Sequence, residues 1–338
     1  MKSDQGSSLH RMSQALARWT TGALLLGVLA LQGCVSLPQA DALRDAPPAD
    51  LPLRVSLDVP FFGERDNFCG PSSLAMVLAH AGAPATVPDL ADQVYVPGRG
   101  GSLQIEMLAA PRAHGLVGVE LPPRLDAVLR ELAAGTPVVM LVNLGLRSVP
   151  AWHYLVATGY DLESGELQVH SAPHATQRMR FDRVEFLWRG SRFWSMVAVP
   201  PDRVPVTAQM PVHASAVAAF ERAGRLPAAQ VAWQAHLSRW PDSTLGWFAS
   251  GNLAHREGRL QDAERSFREA VRVEPAFVPA LNNLALTLGE RGRVDEGIAV
   301  AEQALQAGGP HLEAVRATLS TLHAQQQGEI DAGRARLP

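Results

Sequence analysis

The chain has 338 residues, of which 47% are hydrophobic and 19% charged, so it is long enough for two globular domains with cores of their own. Its net charge of −3 provides no bulk attraction to nucleic acid or to acidic lipid. No Cys-rich or His-rich tract indicates a structural metal, and the chain contains only two cysteines.

The first 33 residues are predicted to be a signal peptide rather than part of the fold. Basic residues precede an apolar stretch from about Thr20 to Leu31, which is too short to span a bilayer comfortably. The stretch ends in Leu-Gln-Gly-Cys at 31–34, which resembles the lipobox of bacterial lipoproteins. An ordinary signal anchor with a chance cysteine is the alternative interpretation.

The lipobox resemblance implies that Cys34 is lipidated and is the first residue of the mature chain. An acylated cysteine with more than one chain anchors a protein stably to a membrane. Val35 follows the cysteine, which by analogy favours the outer membrane, facing the periplasm. Residues 34–52 are rich in Pro, Ala and Asp and predict an extended tether.

The segment 53–201 predicts an α+β domain, because helix-compatible stretches come first and strand-like stretches follow. A strand-like piece at the start leads to a helix predicted over Pro71–Ala81. Pro111 is expected to end or kink a later helix. The predicted strands are TPVVMLVNL, WHYLVATGYD, GELQVHSAP and RFWSMVAVPP. The GRGG at 98–101 is interpreted as a loop, with a cleft rim as one option, and not as a phosphate cradle.

Cys69 lies in the stretch NFCGPSSLAMVLAHAG, at the predicted start of a helix. The helix macrodipole stabilises a thiolate at this end and lowers the pKa of the thiol. If Cys34 carries lipid, Cys69 has no disulfide partner in an oxidising compartment, which raises the hypothesis of a reactive thiol. The alternative is a small buried residue without chemistry.

A thiolate nucleophile needs a base close to it in space. His153 opens the apolar strand HYLVATGYD, at a point where strand ends meet a cleft. A histidine satisfied at a sheet edge is an equally good interpretation from the residues alone.

The motifs VPFF…CGPSSLAMVL and WHYLVATGYD resemble the papain-like peptidases of cysteine peptidase family 39, which cut leader peptides after double glycine. The resemblance covers about Val55–Pro201. It implies a papain-like fold, with Cys69 as nucleophile and His153 as general base. It also implies a peptide or protein substrate and no cofactor.

The chain departs from that family at two positions. Glu64 stands where the family usually has a Gln that donates to the oxyanion, and an ionised carboxylate cannot donate. Asn67 has an amide, but its spacing from the cysteine differs. Ser171 is the nearest match to the third catalytic member, and Asp161 is an alternative for orienting the imidazole. The alternatives to a peptidase are an inactive peptide-binding scaffold of the envelope and acyl transfer to an acceptor other than water.

The second half of the chain repeats every 34 residues, as shown by glycines at 224, 258 and 292 in the sequences GRL, GRL and GRV. Small and bulky residues alternate in the same register, as packed antiparallel helices require. The pattern resembles the tetratricopeptide repeat, which implies an all-α solenoid that binds a protein partner. Bracing of the first domain is the alternative role. Residues 202–209 are predicted as a linker, 210–327 as about three repeats with a capping helix, and 328–338 as a flexible tail.

Overall fold

The computed structural model describes residues 36–63, 67–171 and 174–334. The predicted signal peptide, Cys34 and Glu64 lie outside these residues. Their roles therefore stay predictions.

The first domain combines short helices with strands in the order that the sequence predicts, helices first. The strands are β1 Arg54–Ser56, β2 Tyr95–Val96, β3 Gly101–Ser102, β4 Val117–Glu120, β5 Val138–Asn143, β6 Trp152–Asp161, β7 Glu166–Ser171, β8 His174–Arg180 and β9 Ser195–Val199. The helices are α1 Pro38–Asp45, α2 Cys69–His80, α3 Val87–Val94, α4 Gln104–Ala109, α5 Leu125–Ala133 and α6 Phe181–Trp188. The α+β prediction is confirmed.

Seven of the described strands form one antiparallel sheet in the order β4–β9–β5–β6–β7–β8, with β1 also paired to β6. Strand β6 lies in the centre of the sheet, and its middle residues are buried. This burial explains why its sequence is a nearly continuous apolar run. Helix α2 packs on one face of the sheet, and the contact forms the main core. That core includes Leu74, Leu78, Tyr154, Val156 and Met196.

The structure has elements in this domain that the sequence analysis did not predict. Strand β8 reads HATQRMR, which has almost no apolar residues, and most of its side chains are exposed. Pairing with β7 forms this strand, not its own propensity. Strand β4 and helix α6 were also not predicted, and the strand-like piece at the start of the domain forms a strand of only three residues.

The prediction of an extended tether over 34–52 is wrong for part of that segment. Pro38–Asp45 is helix α1, and its Ala40 and Leu43 are buried. The backbone N–H groups of Gln39 and Ala40 donate to the buried carboxylate of Glu185, at 3.2 and 2.7 Å. A carboxylate at a helix N-terminus satisfies N–H groups that have no partner within the helix, and this contact across the domain holds the helix in place.

The segment between β9 and the repeats, predicted as a linker, is tied to the first domain. The backbone N–H and the hydroxyl of Thr207 both donate to Glu131 Oε1, at 2.7 and 2.6 Å. Burial raises the pKa of the Glu131 carboxyl above its ordinary value. The hydrogen bonds from Thr207 lower this pKa, but the effect of burial is the larger one. From the repeats, the Arg225 guanidinium donates to the carbonyl of Ala113. These contacts agree with a bracing role for the first repeat.

The repeats form antiparallel helix pairs with the predicted period. The helices are α7 Met210–Arg222, α8 Leu226–Arg239, α9 Thr244–Arg256, α10 Leu260–Val273, α11 Val278–Glu290, α12 Val294–Ala307 and α13 Leu312–Arg334. The glycines at 224, 258 and 292 all have left-handed φ angles, of 79°, 72° and 76°. Each lies in the turn inside a helix pair, where a residue with a side chain would be strained. This explains why glycine recurs at the same position of each 34-residue repeat.

The predicted boundary between the capping helix and a flexible tail is wrong. Helix α13 continues past Gln327 to Arg334, and the Gln327 side chain donates to Asp331 one turn later, at 3.0 Å. Such pairs stabilise an exposed helix end. None of the helices among the described residues is both long and apolar enough to cross a membrane.

The first repeat contains a buried pair of histidines that the period does not reveal. His213 on α7 and His236 on α8 face each other with their Nδ1 atoms 3.0 Å apart, and both are almost fully buried. His236 Nε2 lies 2.8 Å from the hydroxyl of Ser243, which also accepts from the Gly246 N–H. Burial lowers the pKa of both imidazoles from 6.5 to about 4.

We expect this pair to make the repeats sensitive to mild acid. Because the folded pKa values lie below the unfolded ones, the stability is complete above about pH 6.5 and falls as the pH drops toward 4. The loss is at most about 3 kcal/mol per histidine, since a tenfold change in proton affinity corresponds to about 1.4 kcal/mol. Urea unfolding followed by far-UV circular dichroism measures it. The double variant His213→Gln, His236→Gln must lose most of this pH dependence, and an unchanged dependence would contradict the assignment.

Candidate active site

Cys69 is the first residue of α2, and the two residues after it explain the Cys-Gly-Pro motif. A Cβ on Gly70 would lie 2.4 Å from Ser102 Oγ, so only glycine allows β3 to approach the start of the helix. Pro71 occupies the first turn, where a missing N–H removes no helical hydrogen bond. The motif therefore packs the β2–β3 hairpin closely beside the thiol.

Cys69 lies at the N-terminal end of α2, where the described residues provide no acidic group in the first turn. The residue before Cys69 is Phe68, which offers no side-chain cap, and the first turn of α2 contains no acidic residue. The first backbone N–H groups of a helix have no partner within it, and they carry the positive end of its dipole. Cys69 is half-buried at this position. The helix end therefore places backbone N–H groups, and the positive end of the dipole, beside the Cys69 thiol.

His153 is the second residue of β6, and its Nε2 lies 3.0 Å from Ser171 Oγ on the neighbouring strand β7. The pairing of β7 with β8 shifts register between Val169 and Ser171. Such irregularities redirect side chains at the ends of strands. The Ser171 hydroxyl lies within hydrogen-bond distance of the imidazole that it was predicted to orient.

Tyr154 lies on the same strand and links the two sides of the site. Its hydroxyl donates to the carbonyl of Ser102 at 3.2 Å, and the side chain is buried. Burial raises the pKa of the Tyr154 phenol, and the charge of the nearby Cys69 adds to the effect. The phenol therefore stays neutral beside the thiol.

Cys69 and His153 line one cleft, with a volume of about 810 Å³. Its other lining residues come from the loop before α2, the segment 99–104, the end of β5 with the following loop, and the turn before β9. Asn67 also lines it, although its spacing from Cys69 differs from that of the family's Gln. From the GRGG segment, Arg99, Gly100 and Gly101 line the cleft, which agrees with the rim option, although Gly101 belongs to strand β3 and not to a loop.

The non-glycine residues that have left-handed φ angles in the described parts of the chain are concentrated at this cleft. They are Asn67 at 66°, Arg192 at 58° and Phe193 at 61°. Asn67 and Arg192 line the cleft directly. Residues in such conformations cost free energy and cluster at functional sites. The strained backbone positions therefore lie at the same cleft as Cys69 and His153.

The structure brings together three of the predicted site residues, namely Cys69, His153 and Ser171. Asp161, the alternative orienter, lies at the opposite end of β6, where it pairs with Arg54 at 2.9 Å. It is a hairpin residue with a structural role. In the described segments no group of three or more His, Cys, Asp or Glu is arranged to hold a metal ion.

An α+β domain with a cysteine at a helix N-terminus and a histidine on the facing sheet, joined to an array of helix pairs, defines a cysteine peptidase-like protein with helical repeats. Residues 56–193 match the model of the Peptidase_C39 like family, and residues 216–277 and 249–313 match the tetratricopeptide repeat model. The chain therefore carries a Peptidase_C39-like domain followed by tetratricopeptide repeats.

Individual relatives cover only parts of the chain. A TPR repeat-containing protein of Methanocaldococcus jannaschii is 36% identical over 61 residues, which are 18% of this chain and 10% of the relative's length. The crystal structure of a double glycine motif protease from an AMS/PCAT transporter, in complex with the leader peptide, is 19% identical with a TM-score of 0.35, covering 43% of this chain and 94% of its own. The TPR2B domain of yeast Sti1, in a complex with pHsp70, is 13% identical with a TM-score of 0.33. The match covers 34% of this chain and 97% of the Sti1 chain.

Proposed function

We propose that the first domain is a cysteine peptidase that hydrolyses peptide or protein amide bonds through Cys69 and His153. The observation that carries the proposal is the shared cleft, in which a thiol at a helix N-terminus and an imidazole held by Ser171 are both lining residues. The family match of residues 56–193 supports the same reaction class.

The chemistry follows from the two side chains. With Nε2 directed to Ser171, Nδ1 is the nitrogen that takes the Cys69 proton, and the thiolate attacks the amide carbonyl carbon. The C–N bond breaks as the imidazolium gives its proton to the amine, which leaves. Water then attacks the thioester and gives one proton to His153. The C–S bond breaks, the carboxylic acid product departs with a new C–O bond, and His153 returns its proton to the Cys69 sulfur.

The pH dependence of Cys69 alkylation by iodoacetamide tests this proposal, in protein that lacks residues 1–34. We expect a thiolate that titrates well below pH 8 in the wild-type protein, because the helix end and the imidazolium both stabilise it. In the His153→Ala variant the titration should move toward the ordinary value of about 8.5. An ordinary titration that does not respond to His153 would leave the first domain as a peptide-binding scaffold.

We propose that Asn67 supplies a donor to the oxyanion, together with the backbone N–H groups at the start of α2. The position that the family fills with Gln is Glu64 here, and an ionised carboxylate cannot donate. Asn67 lines the cleft, and its left-handed backbone is one that asparagine tolerates.

We expect Asn67→Gly to lower kcat/KM for peptide hydrolysis by about 100-fold, the usual effect of losing one oxyanion donor. Glycine keeps the left-handed backbone, so the loss reports the amide and not the loop. Asn67→Asp, with the same shape and no donor, should lose as much. Unchanged hydrolysis in the glycine variant would contradict the role, and the alkylation profile of Cys69 shows whether the thiol itself is intact.

The repeats are proposed to bind a protein partner or the substrate. A cavity of about 490 Å³ lies between α8, α9 and α10, and its lining includes Gln234, Trp247, Ser250, Arg259 and Arg265. These polar groups, which are exposed or half-buried around an indole, suit an extended peptide segment.

The protein is further proposed to be exported and anchored at the outer membrane, facing the periplasm, through lipid on Cys34. The support is the Leu-Gln-Gly-Cys sequence behind an apolar stretch. Replacing Cys34 with serine should move the protein from the membrane fraction to the soluble fraction. A Cys34→Ser protein that stays in the membrane fraction would contradict the lipid anchor.

A further inference from the structure

The cleft that contains Cys69 has two cationic side chains, Arg99 and Arg192, and its lining includes no carboxylate among the described residues. Both arginines are exposed, and neither guanidinium makes an ion pair with any residue in the described segments. Several other exposed arginines of the described segments pair with nearby carboxylates, as Arg44, Arg180 and Arg272 do. Within the described segments, these two arginines lie beside the Cys69 thiol without such partners and are available for a ligand.

The two arginines belong to different sides of the cleft. Arg99 precedes β3, whose Ser102 packs against the start of α2 at Gly70. Arg192 follows the turn at Gly190, which packs against Asn143 and Trp152 at the ends of β5 and β6. A ligand that lies in the cleft is therefore flanked by one guanidinium from the helical side and one from the sheet side.

The backbone around Arg192 is held in a strained conformation by its neighbours. Arg192 and Phe193 both have left-handed φ angles. The Phe193 ring packs edge-on against Trp188, with ring centroids 5.3 Å apart, and the Trp188 indole donates to the carbonyl of Trp194 at 2.7 Å. These contacts fix the backbone of the turn. A fixed backbone limits the positions that the Arg192 side chain can take, which lowers the entropy cost of binding a ligand.

Large apolar side chains line the same cleft beside the arginines. Leu103 is 39% exposed, Leu144 is 52% exposed and Trp152 is 50% exposed. Exposed apolar groups of this size around a concave site indicate that a ligand covers them. The surface thus combines apolar contacts with two positive charges.

We propose that this cleft selects peptide segments in which a Glu or Asp side chain lies close to large apolar residues, with Arg99 and Arg192 binding the carboxylate. The inference rests on the proposed function, because it assigns a substrate class to the same site. A guanidinium binds a carboxylate with charge-assisted, often paired hydrogen bonds, so an acidic side chain is the group that this charge pattern complements. The apolar residues of the segment would cover Leu103, Leu144 and Trp152.

The test uses fluorescent peptides with amidated ends, made in matched pairs that contain Glu in one member and Gln in the other, within a background of Leu, Ala and Gly. The Cys69→Ala protein should bind the Glu members at least about tenfold more tightly than the Gln members. The preference should weaken as salt is raised, because the contacts are exposed. The added changes Arg99→Gln and Arg192→Gln should remove it, and Arg99→Glu with Arg192→Glu should turn it toward Lys-containing peptides.

Arg147→Gln is the matched control, because Arg147 is an exposed arginine in the loop beside the cleft and is not one of its lining residues. It should keep the full preference for Glu. Equal binding of Glu and Gln members by the Cys69→Ala protein would overturn the proposal, as would a preference that survives both arginine changes. The alkylation profile of Cys69 is measured separately, so an ordinary thiol with a clear Glu preference contradicts the peptidase and leaves the carboxylate site standing.

Discussion

We expect the His153→Ala variant to hydrolyse peptides at least about 10,000-fold more slowly than the wild-type protein, and Cys69→Ala to remove hydrolysis. Loss of the base leaves the nucleophile as a neutral thiol and leaves the departing amine without a proton donor. In enzymes where nucleophile and base act as a unit, removing either one costs about as much as removing both. The double variant should therefore be no slower than Cys69→Ala. Steady-state hydrolysis of the Glu-containing peptides measures all three.

Ser171→Ala should have a much smaller effect, because a hydroxyl can orient the imidazole but brings no charge to stabilise the imidazolium. A neutral hydrogen bond contributes about 1 kcal/mol, which corresponds to a factor of about five in rate. His323→Ala, at an exposed position on α13, is the control for removing a histidine. Hydrolysis by His153→Ala at rates near the wild-type value would contradict the proposed base.

The sequence predicted the parts of the first domain that follow from local pattern. The apolar run of β6 indicates a central strand, and Cys-Gly-Pro before a helix indicates a special helix start. Strand β8 could not be found this way, since its residues are polar and its strand conformation comes from pairing with β7. Helix α1 was missed for the same kind of reason, because its N-terminus is stabilised by Glu185, more than 140 residues later in the chain.

The candidate site was predicted in part. Cys69, His153 and Ser171 sit in recognisable motifs, and the structure brings them together. Asn67 was set aside on spacing, but a left-handed turn places it in the cleft, and spacing along the chain does not report such a turn. Arg192 carries no sequence signal, because its place depends on a turn fixed by two tryptophans and a phenylalanine.

The repeats depend on a buried charge cluster that their period does not reveal. Glu264 on α10 is almost fully buried and pairs with Arg268 on its own helix and with Arg291 and Arg293 of the next repeat. The Arg293 Nη1 atom lies 2.6 Å from Glu264 Oε1. In an array where each unit contacts only its neighbours, a carboxylate between two units contributes directly to their interface.

We expect Glu264→Gln to lower the free energy of unfolding of the repeats by about 3–5 kcal/mol. Removing one partner of a buried ion pair leaves the other charges without compensation, and here three guanidinium groups face one carboxylate. Urea unfolding followed by far-UV circular dichroism measures the loss, and amide hydrogen exchange should locate it between α10 and α12.

Glu302→Gln on α12 is the matched control, because this exposed carboxylate makes no ion pair with a described residue and its loss should change the stability by less than about 0.5 kcal/mol. A Glu264→Gln protein as stable as this control would show that the cluster is screened by solvent. A loss of the expected size would instead mean that the second and third repeats are held together by charge as well as by apolar contact.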